Sequence, residues 1–308
     1  MMHQVAVILV NYNSAEHTLH CLKSIAEHTS DRLDYQVVIV DNNSHYDNFA
    51  MLENGINGLA DSHHTLIRSR INTGFGGGNM EALSAVKAKY LAFVNNDTLF
   101  KNDCLSLLFE AMENNPNYGI TGGQAYKEDG SQLISLDHLA SPGREIFGRS
   151  MLEKIDSKKY PNRKKKYTEP VKTGFVPGSF MFVRATDFYA VGGFDTNIFL
   201  YYEETDLCKR LADKGKTAWL IPSAEFVHFH GISTPRSIGI KKELKISLLY
   251  IIRKHYGFFG WLSVWLFLSV KYSFSGLLKP KNFPLLVLLL KGAPLKESLK
   301  QKQTISEI

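Results

Sequence analysis

The chain has 308 residues, of which 44% are hydrophobic and 21% charged. That composition suits a globular protein with one large domain and an appendage, and it excludes a disordered or collagen-like chain. The net charge of +6 is modest and gathers in Lys158 to Lys166 and the lysine-studded last quarter; such runs read first as solvated faces, and no nucleic acid is expected as a partner.

In chain order, Val5 to Val10 is an unbroken apolar run rich in β-branched residues, the signature of a parallel strand buried on both faces. No basic region or cleavage site precedes it, so no signal peptide is expected. Ser14 then reads as the N-cap of a helix from Ala15 to about His28. The pattern repeats. Strands are expected over Gln36 to Val40, Thr65 to Arg68 and Tyr90 to Val94, and helices around Asp47 to Glu53, Asn79 to Lys89 and Asp103 to Asn114. Strand followed by helix, four times in about 115 residues, predicts an α/β fold with a largely parallel sheet. In such sheets ligands bind outside the carboxyl ends of the strands. Those ends here are Asn11 to Ser14, Asp41 to Ser44, Asn72 to Asn79 and Asn95 to Thr98, rich in Asn, Asp, Ser and Gly.

Beyond a further strand at Tyr118 to Tyr126, Asp129 and Gly130 mark a tight turn. Residues 138–170 read as a long mobile insertion. Phe180 to Arg184 is strand-like, Thr186 is expected to cap a short helix, and Gly215 to end the helix that follows Tyr201 to Asp206. Thr217 to Ile221 and Glu225 to His230 read as two extended pieces. Lys241 to Tyr256 reads as a helix, followed by apolar sequence to Leu278 and a last apolar patch, Phe283 to Leu290, broken by Pro284. The 16-residue run His255 to Val270 falls short of the ~20 a membrane span requires. Cys21, Cys104 and Cys208 lack CxxC or Cys/His spacing and read as reduced packing residues in a cytosolic protein.

Several clusters carry chemistry. Glu203, Glu204 and Asp206 crowd the start of one helix, where negative charge is tolerated as ordinary capping. Adjacent Glu203 and Glu204 point about 100° apart, so that one faces the core edge or solvent and the other a cleft, as a general base would. Asp97 ends a buried strand, where a carboxylate can hold magnesium or manganese and a diphosphate, although AsnAsnAsp also reads as a turn. His228 and His230 share one face of an extended segment, either as an imidazole ligand to that metal or as a structural pair. The glycines at 74 to 78 read as a phosphate cradle or as a flexible turn. Phe258, Phe259, Trp261, Trp265 and Phe267, with Lys254 and Lys271 outside, suit a helix in a bilayer interface or one packed on the catalytic domain.

Taken together, the four strand ends, Gly192 to Asp195 followed by Tyr201 to Asp206, and Val227 to Ser233 resemble the family-two glycosyltransferases, closest to the rhamnosyltransferase-like branch. The resemblance spans about Val5 to Ser233. It implies a GT-A fold: a Rossmann-like nucleotide-sugar half at about 1–126, the insertion at 138–170, an acceptor and catalytic half at 171–235, and a helical C-terminal extension at 236–308. By resemblance, Asn11, Tyr12, Asn13 and Asp41 lie against the base and ribose, with Asn43, Asn72 and Gly74 close by. Asp97 matches the last residue of the DxD-type metal motif, whose earlier positions are Asn95 and Asn96; Asn96 counts among the nucleotide-sugar residues. His228 matches the metal-contacting histidine. Glu204, beside Glu203, stands where the family typically has Asp as the base, one methylene longer.

The activity implied is inverting transfer of a sugar, first rhamnose from dTDP-rhamnose and second a UDP-hexose, to a polysaccharide or lipid-linked glycan, assisted by Mg²⁺ or Mn²⁺. The expected location is the inner face of the cell membrane, held peripherally through the extension. The competing readings are a non-catalytic nucleotide-sugar or glycan-binding module on the same fold, and a nucleotidyltransferase, whose basic Gly-rich loop after the first strand is missing here.

Overall fold

A computed structural model describes residues 2–59, 64–229 and 237–306. The first half alternates as expected: β1 (His3–Asn11), α1 (Ala15–His28), β2 (Tyr35–Asp41), α2 (Tyr46–Asn57), β3 (His64–Arg68), α3 (Gly74–Ala82) and β4 (Ala88–Asn95). These strands pair in parallel in the order β3-β2-β1-β4. Val5, Val7 and Leu9 enter one core with Cys21, Leu22 and Ile25 of α1, while Ala6 and Ile8 enter a second on the opposite face. Both faces are covered, which is why the run is apolar throughout. Each fully buried aliphatic side chain contributes roughly 1.5–3 kcal/mol.

The sheet continues through β5 (Thr98–Phe100), α4 (Cys104–Asn114), β6 (Tyr118–Tyr126), α5 (Pro142–Phe147), α6 (Arg149–Ile155), β7 (Val171–Thr173), β8 (Phe180–Arg184), α7 (Ala185–Ala190), α8 (Glu203–Asp213) and β9 (Thr217–His228). Among the described residues nine strands form one sheet, ordered β3-β2-β1-β4-β8-β6-β9-β5, with β7 on β9. Asp103 caps α4 by accepting from Ser106 N at 3.1 Å, and Gly215 ends α8 with φ 77°, the left-handed turn that glycine takes freely.

Four expectations are revised. Residues 138–170 carry α5 and α6 and are pinned by Arg149 to Asp137 at 2.8 Å and Arg163 to Glu153 at 2.9 Å, a folded lobe where its Pro, Gly and Lys content suggested a loop. The two extended pieces after Gly215 are one strand; its pairing with β6 jumps from Gly123–Ile221 to Gln124–Glu225, and this bulge accommodates Pro222. Thr186 lies inside α7 rather than capping it. Pro284 sits in the first turn of α10 (Phe283–Leu290), where its missing N–H is harmless.

The C-terminal α9 (Ile238–Leu278) is interrupted at Gly257, φ 67° and ψ −164°. In a straight helix Lys245 and Tyr272 would stand about 40 Å apart. Instead the Lys245 Nζ lies 5.6 Å from the Tyr272 ring centroid, so the chain folds back on itself at the glycine. Ile246, Leu249, Ile252, Val264 and Leu268 form a third core with Leu288 and Leu289 of α10 and with Ala140 and Ile198 of the catalytic part. Among the described residues no helix is long and apolar enough to cross a membrane. All three cysteines are free and buried, and burial pushes the Cys104 and Cys208 thiols up to about 12.

Candidate active site

Register brings the polar strand ends level: Asn11 pairs with Asp41 and Val10 with Asn95. Asn11 is wholly buried. Its Nδ2 donates to Asp41 Oδ1 at 2.8 Å, Ser44 Oγ at 3.1 Å and Asn48 Oδ1 at 3.2 Å, while its Oδ1 accepts from Thr18 Oγ1 at 2.9 Å. Asp41 Oδ2 accepts from Ser44 N at 3.1 Å. Asn96 Nδ2 donates to Ser14 Oγ at 2.7 Å and Thr18 Oγ1 at 2.8 Å. Ser14 therefore stands at the N-cap of α1, but its hydroxyl makes no cap bond; it serves this lattice. Asn11, Asp41 and Asn96 brace the loops from behind, and Tyr12 and Asn13 are the exposed members of the set. Asn13 and Asn43 are left-handed, φ 53° and 66°, a conformation Asn tolerates.

Asn42, which the sequence reading passed over, holds the neighbouring loop. Its Nδ2 donates to Asn72 Oδ1 at 3.1 Å and Gly74 O at 3.0 Å, and its Oδ1 accepts from Thr73 N at 3.0 Å. Its place in the same polar strand end as Asp41 and Asn43 was the available signal. Gly74 has φ 77°, and a Cβ there would lie 2.0 Å from Phe199 O. Residues 75–79 are helical, and a Cβ on Gly76 or Gly78 would press on Phe194 or Val10. These glycines belong to α3 and let it pack closely, which corrects the flexible-turn reading.

Asp97 and His228 do meet. Thr98 pairs with His228 across β5 and β9, placing Asp97 Oδ1 3.1 Å from His228 Nε2. Both side chains are over nine-tenths buried, and Asn95 Nδ2 stands 3.4 Å from the same Nε2. One carboxylate oxygen and one imidazole nitrogen fit magnesium or manganese as a partial ligand set, with water and phosphate oxygens for the rest. Among the described residues no cluster of three or more His, Cys, Asp or Glu could hold a metal ion. His230 lies outside the described residues.

The acidic helix start is built differently. Tyr201 and Tyr202 are both left-handed, φ 70° and 73°, a strain of about 1–3 kcal/mol each that the packing must hold. They deliver the chain into α8 with Glu203 inward and Glu204 toward the lobe. Glu203 is 2% exposed, its Oε1 lacks a hydrogen-bond partner, and its Cγ would lie 3.6 Å from a Cβ on Gly76. Burial, then the charge of Glu204, pushes its pKa well above the carboxylate range. Glu204 is half-buried. Burial raises its pKa too, offset in part by its own backbone N–H and by Arg144.

Asp206 is fully buried and accepts from Arg210 at 2.9 and 2.7 Å and from Lys254 and His255 at 2.7 Å each. Burial alone would raise its pKa, but the His255 hydrogen bond, Arg210 and Lys254 together bring it down to about 2. Arg144 was also missed. Only 2% exposed, it donates to His138 O at 2.7 Å and Glu145 Oε1 at 2.8 Å and lies 5.7 Å from the Tyr202 ring. No local pattern marks it, because its role comes from the lobe closing on α8, where Ala140 N donates to Thr205 Oγ1 at 3.0 Å.

A model of the family described as Glycosyl transferase family 2 matches residues 6–192. The chain is 30% identical to Rhamnosyltransferase WbbL of Escherichia coli over 190 residues, 59% of this chain and 71% of that protein. It is 37% identical over 89 residues to the N-acetylglucosaminyl-diphospho-decaprenol L-rhamnosyltransferase of Mycobacterium tuberculosis, 27% of this chain and 28% of that one. Among solved structures, the mannosyltransferase PcManGT from Pyrobaculum calidifontis in complex with GDP-Man and Mn²⁺ superposes with a TM-score of 0.59 at 14% identity, over 96% of this chain and 87% of that chain. GalNAc-T7 with UDP, GalNAc and Mn²⁺ gives 0.60 at 14% identity, over 80% of this chain and 48% of that chain. The fold is GT-A.

Proposed function

The chain belongs to glycosyl transferase family 2, and from that premise we propose that it moves rhamnose from dTDP-rhamnose, with a UDP-hexose as second choice, onto a hydroxyl of a polysaccharide or lipid-linked glycan, inverting the anomeric configuration. That it is a nucleotide-sugar glycosyltransferase follows from the family. Rhamnose is favoured because two similar proteins are named rhamnosyltransferases.

In this reading Glu204 takes the proton from the acceptor hydroxyl, which then attacks the anomeric carbon opposite the leaving diphosphate, so that one base suffices. Burial raises its pKa above the ordinary carboxylate value, which makes it a better proton acceptor. Asp97 and His228 would hold Mg²⁺ or Mn²⁺, which when bound neutralises charge on the leaving diphosphate. Tyr12 and Asn13, with Asn43, Asn72 and Gly74 near them, form the rim over which the nucleotide lies, shaped from behind by Asn11, Asp41 and Asn96. Glu203 is buried, and burial with the charge of Glu204 beside it favours its neutral form.

The observation that carries the reading is the meeting of Asp97 with His228 at the strand ends beside the donor rim. Exposed apolar residues along the C-terminal helices support a peripheral position on the inner face of the cell membrane. Glu204→Gln is expected to lower kcat by about 10²–10⁴ while a thermal-shift screen of dTDP-, UDP- and GDP-sugars with Mn²⁺ still registers donor binding. Undiminished transfer by that variant would remove Glu204 from the mechanism.

A further inference from the structure

The C-terminal hairpin holds cations of two kinds. Lys254 pairs with Asp195 and Asp206 at 2.7 Å each, and Lys291 with Glu297 at 2.9 Å. Lys245 and Lys271 instead have aromatic neighbours: the Lys245 Nζ lies 5.6 Å from the Tyr272 ring and the Lys271 Nζ 5.8 Å from the Phe267 ring. Among the described residues neither has a carboxylate within ion-pair reach. The fold-back at Gly257 sets these two ammonium groups near each other, and burial, offset by Glu145 and reinforced by Lys271, holds the Lys245 pKa below the usual lysine value. Two neighbouring ammonium groups, one half-buried and one exposed and neither in an ion pair among the described residues, fit an anion with more than one negative charge.

What lies on either side specifies that anion further. Toward the catalytic rim, Glu145 faces Lys245 but is itself engaged by Arg144, whose guanidinium packs on Tyr202, next to Glu204. α9 also presents Phe259, Leu266, Val270, Phe274 and Leu278 on one face, with Phe259 81% and Leu278 82% exposed; Lys271 follows Val270 about 100° around the helix, on the flank of that stripe. The cation pair therefore lies beside both the Glu145–Arg144–Tyr202 contacts and the apolar stripe.

We propose that Lys245 and Lys271 seat the diphosphate of a lipid-diphosphate-linked acceptor, whose sugar reaches toward Glu204 and whose hydrocarbon lies along the α9 stripe. This rests on the lipid-linked acceptor reading above and names the residues that would recognise it. A lone phosphate headgroup shares part of that chemistry, so the test separates the two.

The full chain is sedimented with vesicles of phosphatidylcholine alone, with added phosphatidylglycerol, or with added polyprenyl diphosphate at equal charge. The wild type is expected to bind the diphosphate vesicles at least tenfold more tightly than the phosphatidylglycerol ones. Lys245→Gln combined with Lys271→Gln should lose that preference, while a donor-induced rise in melting temperature reports that the fold is kept. Lys271→Gln alone, at an exposed position, should lose several-fold and guards against misfolding of the double variant. Equal binding of both anionic vesicles by the wild type, or an undiminished preference in either variant, would overturn the proposal. Vesicle binding is read without turnover, so it fails or stands separately from the proposed transfer reaction, which falls if the wild type transfers sugar to no acceptor.

Discussion

Around the ends of β1, β2 and β4 the protein builds with neutral amides, and around the start of α8 it builds with charge. Asn11, Asn42, Asn72 and Asn96 share their hydrogen bonds with one another, nearby hydroxyls and backbone, and a single carboxylate, Asp41. At α8 the buried groups are Glu203, Asp206 and Arg144, with Glu204 half-buried among them. The contrast is one of tolerance. Amide-to-amide bonds do not titrate and are lost one at a time; a buried ionic cluster is stable only while every partner is present and correctly protonated.

Removing one charge should give the largest effect. Asp206→Ala leaves Arg210, Lys254 and His255 facing each other without their shared anion and should destabilise the fold by about 3–5 kcal/mol, measured by urea unfolding at pH 7. The folded pKa of Asp206 is depressed, so its stabilisation is complete above the unfolded value near 3.8 and disappears as pH falls toward about 2, and the gap between variant and wild type should close over that window. On the amide side, Asn42→Ala, whose partners Asn72, Thr73 and Gly74 are all neutral, should cost about 1–3 kcal/mol, with no change in its pH dependence. Loss of stability that varied with pH there would break the contrast. The smallest effect has the opposite sign: because the Glu203 pKa is raised in the fold, its stability contribution is lost as pH rises through that value. Glu203→Gln should therefore leave the melting temperature nearly unchanged in acid and raise it by a few degrees at pH 8, which differential scanning calorimetry at both pH values would test.

The same contrast divides what could be read in advance. β1, β2, β4 and β8 were legible because alternate side chains enter two cores and leave an unbroken apolar run, and the strand ends stood out as breaks in it. Asp97 and His228 were legible through resemblance, and register accounts for their meeting. The helical start at Gly74 was hidden, since glycine is a poor helix former and is used there for the close approach to Phe199. The lobe was hidden because α5 and α6 are short and held by ion pairs distant in sequence. The pairing of Asp206 with His255 was hidden because the two lie 49 residues apart, and Arg144 because its contact with the Tyr202 ring comes from the lobe packing on α8.

One small contact joins the two ends of the described chain. Ser306 Oγ donates to Asn43 Oδ1 at 2.6 Å across 263 residues, Asn43 Nδ2 donates to Thr304 O at 3.3 Å, and Ser306 N donates to Arg70 O at 2.8 Å. Asn43 belongs to the loop after β2, which emerges early from the ribosome, while its clasp emerges among the last residues described. Domains tend to fold from the N-terminus as they are synthesised, so the sheet can assemble while the loop after β2 still waits for its fastener, which arrives only with residues 304–306.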